Sequence, residues 1–254
     1  MAAEDWVFLR GLVREAAHWD DFPERFAEAR PGARVLLVDL PGNGRHWRES
    51  SPPSIAAMME SARREALEQM AVGRDGRRLY LLAISLGGMV ALEWVRQHPS
   101  ELAGAVLINT SLRGLSPLSQ RLSWRSWPLL ARIVASADIA QRERLIFRLT
   151  SALPQPGPGL IDDRVATHQR HPVRLANVFR QLWAAARHRP SREKPAVPLL
   201  LLNSLGDRMV DPGCTEAIAR AWSLETQTHP WAGHDLPLDD PPWVIGAVGE
   251  WLAG

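Results

Sequence analysis

The chain has 254 residues, 46% hydrophobic and 23% charged, with 30 Lys and Arg against 28 Asp and Glu, a formal net charge of +2. This is the make-up of an ordinary soluble globular protein with enough chain for one large α/β domain or two small ones. The single cysteine, Cys214, excludes an internal disulfide framework and leaves a cysteine-based metal site without ligands. The acidic start, Met1-Ala2-Ala3-Glu4-Asp5, and the absence of any apolar run of membrane length predict neither a signal peptide nor a membrane span, with a cytoplasmic location as the default.

Taken in order, the sequence alternates strand and helix. Trp6-Val7-Phe8-Leu9-Arg10-Gly11 is an apolar strand closed by a glycine, and residues 18–29 follow with helical spacing, Phe22 and Phe26 standing four apart. Residues 33–39 form a second buried strand that runs into the turn-rich Leu40-Pro41-Gly42-Asn43-Gly44. Residues 54–70 read as a helix capped by Ser54, with Ile55, Met58, Met59, Ala62, Ala66 and Met70 near one face. Residues 79–84 are a continuous apolar run, as in a parallel strand buried on both faces, and residues 86–97 are an amphipathic helix stopped at His98-Pro99. Strands at 102–109, 197–203 and 224–229 and a helix at 241–252 complete the alternation. Between the fourth and fifth strands, residues 111–194 hold no strand-like run; helices are predicted at 127–136, 138–151, 160–170 and 172–187, with Pro172 at a first helical position. An insert too long for a loop, leaving the carboxyl edge of a strand, reads as a helical cap. The expected class is therefore α/β: a parallel sheet covered on both faces, with function at the carboxyl ends of its strands.

Ser85 lies on the turn between the 79–84 strand and the helix that follows. Its surroundings fit G-x-S-x-G with Ala83 in the first glycine place, and Gly87 and Gly88 let strand and helix approach around a strained turn that exposes the hydroxyl. A serine hydroxyl is a weak nucleophile near neutral pH and needs a base, itself oriented by a third group. After the fifth strand comes Gly206-Asp207-Arg208-Met209-Val210-Asp211-Pro212, and after the sixth Trp231-Ala232-Gly233-His234-Asp235. Ser85, Asp207 and His234 then stand in the order Ser…Asp…His at successive strand ends. Asp211 competes with Asp207 but precedes Pro212, where it would cap a helix. Asp39 reads as a turn-stabilising acceptor. His229 belongs to a strand end; His18, His46, His98, His168, His171 and His188 read as surface or cap residues, since no pair has convincing metal spacing.

With these motifs in hand the chain resembles the α/β-hydrolase superfamily, as a small cap-bearing serine hydrolase of esterase type. Asp39-Leu40-Pro41-Gly42-Asn43-Gly44 matches the family's D-x-P-G-x-G turn, Gly206-Asp207-Arg208-Met209-Val210 its acid loop, and Gly233-His234 with Asp239, Asp240 and Pro241 its histidine loop. The family usually begins with an antiparallel hairpin, whereas here the first strand starts at about Asp5, so a six-stranded, mostly parallel sheet is expected, with residues 1–111 and 196–254 as core and 112–195 as cap. The resemblance implies Ser85, Asp207 and His234 as catalytic residues and the backbone N–H groups of Leu12 and Leu86 as an oxyanion hole. The implied activity is hydrolysis of a carboxylic ester or thioester with a small or acyl-chain substrate, through an acyl-enzyme and with no cofactor or metal. C–C cleavage or elimination of the menaquinone-pathway type, and ligand binding without turnover, stay open. The family's His-Gly pair is Arg10-Gly11 here. The Arg10 guanidinium either pairs with Asp39 or Asp235 or holds a substrate carboxylate. Trp19, Trp124, Trp127, Trp183 and Trp231 are expected nearest the pocket.

The charge is unevenly spread. Residues 112–195 carry 15 Lys and Arg against 5 Asp and Glu, a formal +10, and the remainder 15 against 23, a formal −8. All the basic residues but Lys194 are arginine, the side chain suited to bidentate contact with carboxylate or phosphate. The basic cap is either a solvated face or a steer toward an anionic acyl carrier, such as coenzyme A or an acidic carrier protein. Nucleic acid is not expected: the acidic remainder would repel it and no recognition motif is present.

Overall fold

The computed structural model describes residues 3–70 and 76–254. Strands β1 (Glu4–Leu9), β2 (Ala33–Val38), β3 (Arg78–Ile84), β4 (Gly104–Ile108), β5 (Leu199–Ser204) and β6 (Thr226–His229) form a six-stranded sheet in the order β2-β1-β3-β4-β5-β6, every pair parallel. The central strands β1, β4 and β5 are buried along their whole length, whereas the edge strands β2 and β6 are only partly covered. This is how a sheet with helices on both faces distributes its apolar residues.

Alternation along β1 divides the core. Trp6 and Phe8 face one layer with Tyr80, where Trp6 stacks on Tyr80 at 4.7 Å and Phe8 meets Phe26 edge-on at 5.2 Å. Helices α1 (Phe22–Ala29) and α11 (Pro241–Ala253) close that side through Phe22, Phe26, Val244 and Val248. Val7 and Leu9 face the other layer, built on α2 (Ile55–Met70), α3 (Leu86–Gln97) and α9 (Gly213–Trp222), with Met58, Met59, Trp94 and Trp222 inside it. Between β4 and β5 run α4 (Leu118–Arg121), α5 (Trp127–Ala135), α6 (Ile139–Thr150), α7 (Leu160–Arg170) and α8 (Leu175–Arg187); α10 (Leu236–Asp239) precedes α11. Among the described residues no helix is long and apolar enough to cross a membrane.

Two helix starts move by three residues or more from the sequence expectation. The helix expected over 18–29 breaks at Asp20, whose φ of 53° no helix accommodates, so a 3-10 turn at Ala16–Trp19 precedes α1. Pro172 does not open a helix: Arg174 is still extended, and α8 begins at Leu175.

The chain turns to one side of β1 to make β2 and to the other to make β3. The carboxyl ends of β1 and β3 thus flank the point where strand order reverses, the place where open α/β sheets form a crevice. Leu9 is in register with Ala83, and Ile84 with Ile108, so the loops after these strands emerge together.

Candidate active site

Ser85 leaves β3 with φ 58° and ψ −118°, a left-sided backbone that a β-carbon resists. Close packing holds it there. Its N–H donates to the Ile108 carbonyl at 2.9 Å, and its own carbonyl accepts from Thr110 Oγ1 at 2.8 Å. A β-carbon at Gly87 would lie 2.6 Å from the Arg10 carbonyl oxygen and nearer still to that of Leu9, so only glycine lets α3 pass this close to β1. Leu86 then opens α3, and its N–H is among the first-turn groups that have no acceptor within the helix.

The acid and imidazole come from the ends of β5 and β6. His234 Nδ1 lies 2.7 Å from Asp207 Oδ2, both side chains being buried. Asp207 Oδ1 accepts the N–H groups of Met209 at 2.8 Å and Val210 at 2.9 Å, which fixes the carboxylate plane. Asp211 instead accepts the N–H of Gly213 at 2.8 Å, where α9 begins. The histidine loop is pinned from several sides. Asp239 accepts from Gly233 N–H at 2.6 Å and Ala152 N–H at 2.8 Å, and Asn109 donates to the His234 carbonyl at 2.9 Å. Burial raises the Asp239 carboxyl above its ordinary range, against the pull of these donors. His229, buried at the end of β6, accepts from Ala232 N–H and faces Asp240, so it shapes the loop. Asp39 accepts from Ala16 and Arg45 N–H groups, and is a turn-stabilising acceptor.

On the β1 side, Gly11 packs against Ser85 and Leu12 lines the cavity described below. Val13, at φ 49°, donates its N–H to Gln181 Oε1 at 2.9 Å. Gln181 on α8 also donates to Asn43 Oδ1 and Ser51 Oγ, and Asn177, one turn earlier, accepts from Ser51 N–H. These two fully buried amides hold the loops after β1 and β2 under the inserted helices. Sequence reading missed them, although two amides four residues apart share one face of a helix and can work together in a buried polar contact. The Arg10 guanidinium grips Asp235 with two bonds of 2.9 and 2.6 Å and covers the Trp19 ring at 4.7 Å.

Ser85, His234, Leu12 and Arg10 share a cavity of about 550 Å³. One part of its wall is apolar, from Leu122, Leu130, Ile133, Ile146, Val178 and Leu182; another is polar, from Arg14, Glu15, His18, Arg142, Glu143 and His168. Arg14 bonds Glu143 at 3.0 Å and His171 bonds Glu15 at 2.8 Å, joining residues 129 and 156 positions apart. No local spacing encodes this group, so His18, His168 and His171, expected as surface or cap residues without a role, turn out to line the cavity. Burial, reinforced by Arg14, Arg164 and Arg10, pushes His18 well below the usual imidazole range, and burial lowers His168 too. Burial raises Glu15 despite its bond to His171.

The tryptophans expected at the pocket are elsewhere. Trp19 is 3% exposed and packs on Phe8 in the core, because the 3-10 turn points it inward; Trp124, Trp127 and Trp183 are 56–62% exposed on the outer side of their helices, and Trp231 is 46% exposed. Among the described residues no three His, Cys, Asp or Glu side chains converge closely enough to hold a metal ion.

Comparison with known proteins agrees with this architecture. A family model described as serine aminopeptidase, S33 matches residues 5–240. Protein ABHD14A of Danio rerio is 29% identical over 112 residues, 44% of this chain and 40% of that protein. The pimeloyl-acyl-carrier-protein methyl ester esterase of Yersinia enterocolitica is 31% identical over 107 residues, 42% of this chain and 36% of that protein. The matched region thus spans about two fifths of the length of these curated relatives. A solved 2-hydroxy-6-oxo-6-phenylhexa-2,4-dienoate hydrolase from Rhodococcus superposes with a TM-score of 0.77 at 18% identity, covering 99% of this chain and 91% of that one, a likeness of fold.

Proposed function

The chain belongs to the α/β-hydrolase family described as serine aminopeptidase, S33, and from that premise we propose that it cleaves carboxylic esters or thioesters through an acyl-enzyme on Ser85. One observation carries the reading: a serine held at positive φ and a histidine, His234, that bonds the buried Asp207 carboxylate line one cavity. Ser85 Oγ attacks the substrate carbonyl carbon while His234 Nε2 takes its proton. Asp207 keeps the other ring nitrogen protonated and stabilises the imidazolium. The backbone N–H groups of Leu12 and Leu86 receive the developing oxyanion. His234 then returns the proton to the departing alkoxide or thiolate, and water, activated by the same imidazole, releases the acid.

The substrate follows from the wall of the site. A cavity of about 550 Å³ falls within the usual range for small-molecule sites, roughly 300 to 1,000 Å³. Its apolar side favours an acyl chain, and the polar group around Arg14 and Glu143 favours a substrate with one polar end. The formal +10 on residues 112–195 favours an ester that is anionic or presented on an anionic carrier. The name of the Yersinia relative describes an ester on such a carrier. The C–C cleavage reading is weaker, because the Arg10 guanidinium that would hold a substrate carboxylate already grips Asp235.

A fluorophosphonate probe combined with short-chain p-nitrophenyl esters tests the proposal. Labelling of Ser85 with ester turnover is the expected result. Labelling without turnover of any ester in a panel would move the assignment to a lyase or C–C hydrolase, and no labelling to a ligand-binding protein.

A further inference from the structure

The inserted helices carry a surface that ester chemistry at Ser85 does not use. Helix α5 buries none of its side chains, although Arg132 is the only charged residue in WPLLARIVA. On α8, Leu175, Phe179 and Trp183 stand four apart, a single stripe, and all three are more than half exposed. Trp124, Trp127 and Val134 are exposed to the same degree on α5 and the turn before it. Val134 and Leu175, both exposed, also line the cavity, so α5 and α8 each reach its edge. Exposed apolar area of this kind marks an interaction surface.

The charge on these elements has one sign. Residues 102–137 and 164–192 contain no Asp or Glu, whereas Arg125, Arg132, Arg180 and Arg187 are exposed beside the aromatic side chains. Arg125 covers the Trp124 ring at 5.7 Å and Arg187 the Trp183 ring at 5.0 Å.

We propose that α5 and α8 form a docking face for an anionic phospholipid surface, with the mouth of the cavity at the contact. The exposed tryptophans and Phe179 of this face enter the boundary between headgroups and acyl chains, and the arginines meet lipid phosphates. A second copy of the chain is a poorer occupant, since a two-fold contact would set an acid-free arginine face against itself. An acidic carrier protein would satisfy the arginines but leave Trp127, Phe179 and Trp183 in water. Docking names the anionic carrier left open above: the ester reaches the cavity from the lipid side. That consequence rests on the esterase reading; the docking does not.

Sedimentation of the full chain with phosphatidylcholine vesicles, with and without added phosphatidylglycerol, tests the face directly. The wild-type protein and Ser85→Ala should bind the mixed vesicles equally, release with salt and bind phosphatidylcholine weakly, so a failed esterase assignment leaves this result standing. Combined Trp127→Ala, Phe179→Ala and Trp183→Ala should abolish binding, and Arg132→Gln and Arg180→Gln should each weaken it about fivefold. All are exposed positions, and circular dichroism checks that the variants fold. The proposal is overturned if no vesicle binds, if the variants bind like the wild type, if an acidic acyl-carrier protein binds and vesicles do not, or if the aromatic variant instead dissolves a dimer.

Discussion

Arg10 and Asp235 form a two-bonded ion pair, with each side chain no more than 7% exposed, that ties the end of β1 to the residue after His234. Burial alone would raise the Asp235 carboxyl, but the Arg10 charge and hydrogen bonds, with Arg164 and Arg14 behind them, hold it below the usual carboxylate range. Removing one member leaves a buried charge unmatched, at a cost of about 3–5 kcal/mol, whereas replacing both by apolar groups is far milder. Arg10→Met and Asp235→Leu should each be strongly destabilised in urea unfolding and the double variant substantially less so. Because the folded carboxyl is depressed, the pair's contribution is present above about pH 4 and disappears as pH falls through the folded value. If Arg10 served substrate instead, Arg10→His would alter the ratio of activity on acidic and neutral esters; an unchanged ratio is expected.

The assignment of Asp207 over Asp211 gives a sharper test. The Asp207 carboxylate bonds a buried imidazole, and that of Asp211 the N–H of Gly213, where a helix begins. Ser85→Ala should abolish fluorophosphonate labelling in a folded protein. Asp207→Asn should lower ester turnover by up to about 10⁴-fold through the wrong imidazole tautomer. Asp211→Ala should cost about 1 kcal/mol of stability and leave turnover near that of the wild type. The reverse pattern for the two aspartates would exchange their roles.

Much of this was legible because it is local. An apolar run, a serine between small residues and three strand ends in order are written within a few residues each, and they led to the sheet and to Ser85, Asp207 and His234. The Arg10 partner was narrowed to two carboxylates but not chosen, since Asp39 and Asp235 both lie at strand ends and only folding decides which faces the guanidinium. The polar side of the cavity was invisible: Arg14 and Glu143 meet across 129 positions with no motif to join them. Tryptophan positions failed for another reason. On α8 the stripe of Leu175, Phe179 and Trp183 has the spacing of a core-facing side, yet all three side chains are more than half exposed, so periodicity marks an apolar face without saying whether the fold covers it.

Two glycines of the same composition class should behave oppositely. Gly87→Ala puts a methyl group against the carbonyls of Leu9 and Arg10, backbone atoms that can yield only by parting α3 from β1. The variant should fold poorly and lose probe labelling even where it remains soluble. Gly249 lies inside α11 with nothing within 4 Å of an added methyl. Gly249→Ala should raise stability by about 0.4–1 kcal/mol in chemical denaturation.

His18 makes the fold sensitive to mild acid. Its ring is buried, Glu15 N–H donates to Nδ1 at 3.0 Å, and Arg14 Nη1 stands 3.0 Å from Nε2, so an added proton finds no acceptor. Burial and then the charges of Arg14, Arg164 and Arg10 hold the folded value well below the ordinary one. The unfolded chain takes up the proton near pH 6.5 and the folded chain does not, so the unfolded state binds more protons and stability falls as pH drops. The loss begins at about pH 6.5, approaches about 1.4 kcal/mol per unit, and ends only at the depressed folded value. Urea unfolding of the wild type and of His18→Gln, whose amide oxygen can still accept from Glu15 N–H, should show this as a difference. Between about pH 7.5 and about pH 5.5 the wild type should lose more stability than the variant. His46, raised by its bonds to Glu49 and Glu65 against burial, pulls the opposite way but is common to both proteins and cancels. Parallel pH curves for the two would mean that His18 takes up its proton over the same pH range in the folded and unfolded chains.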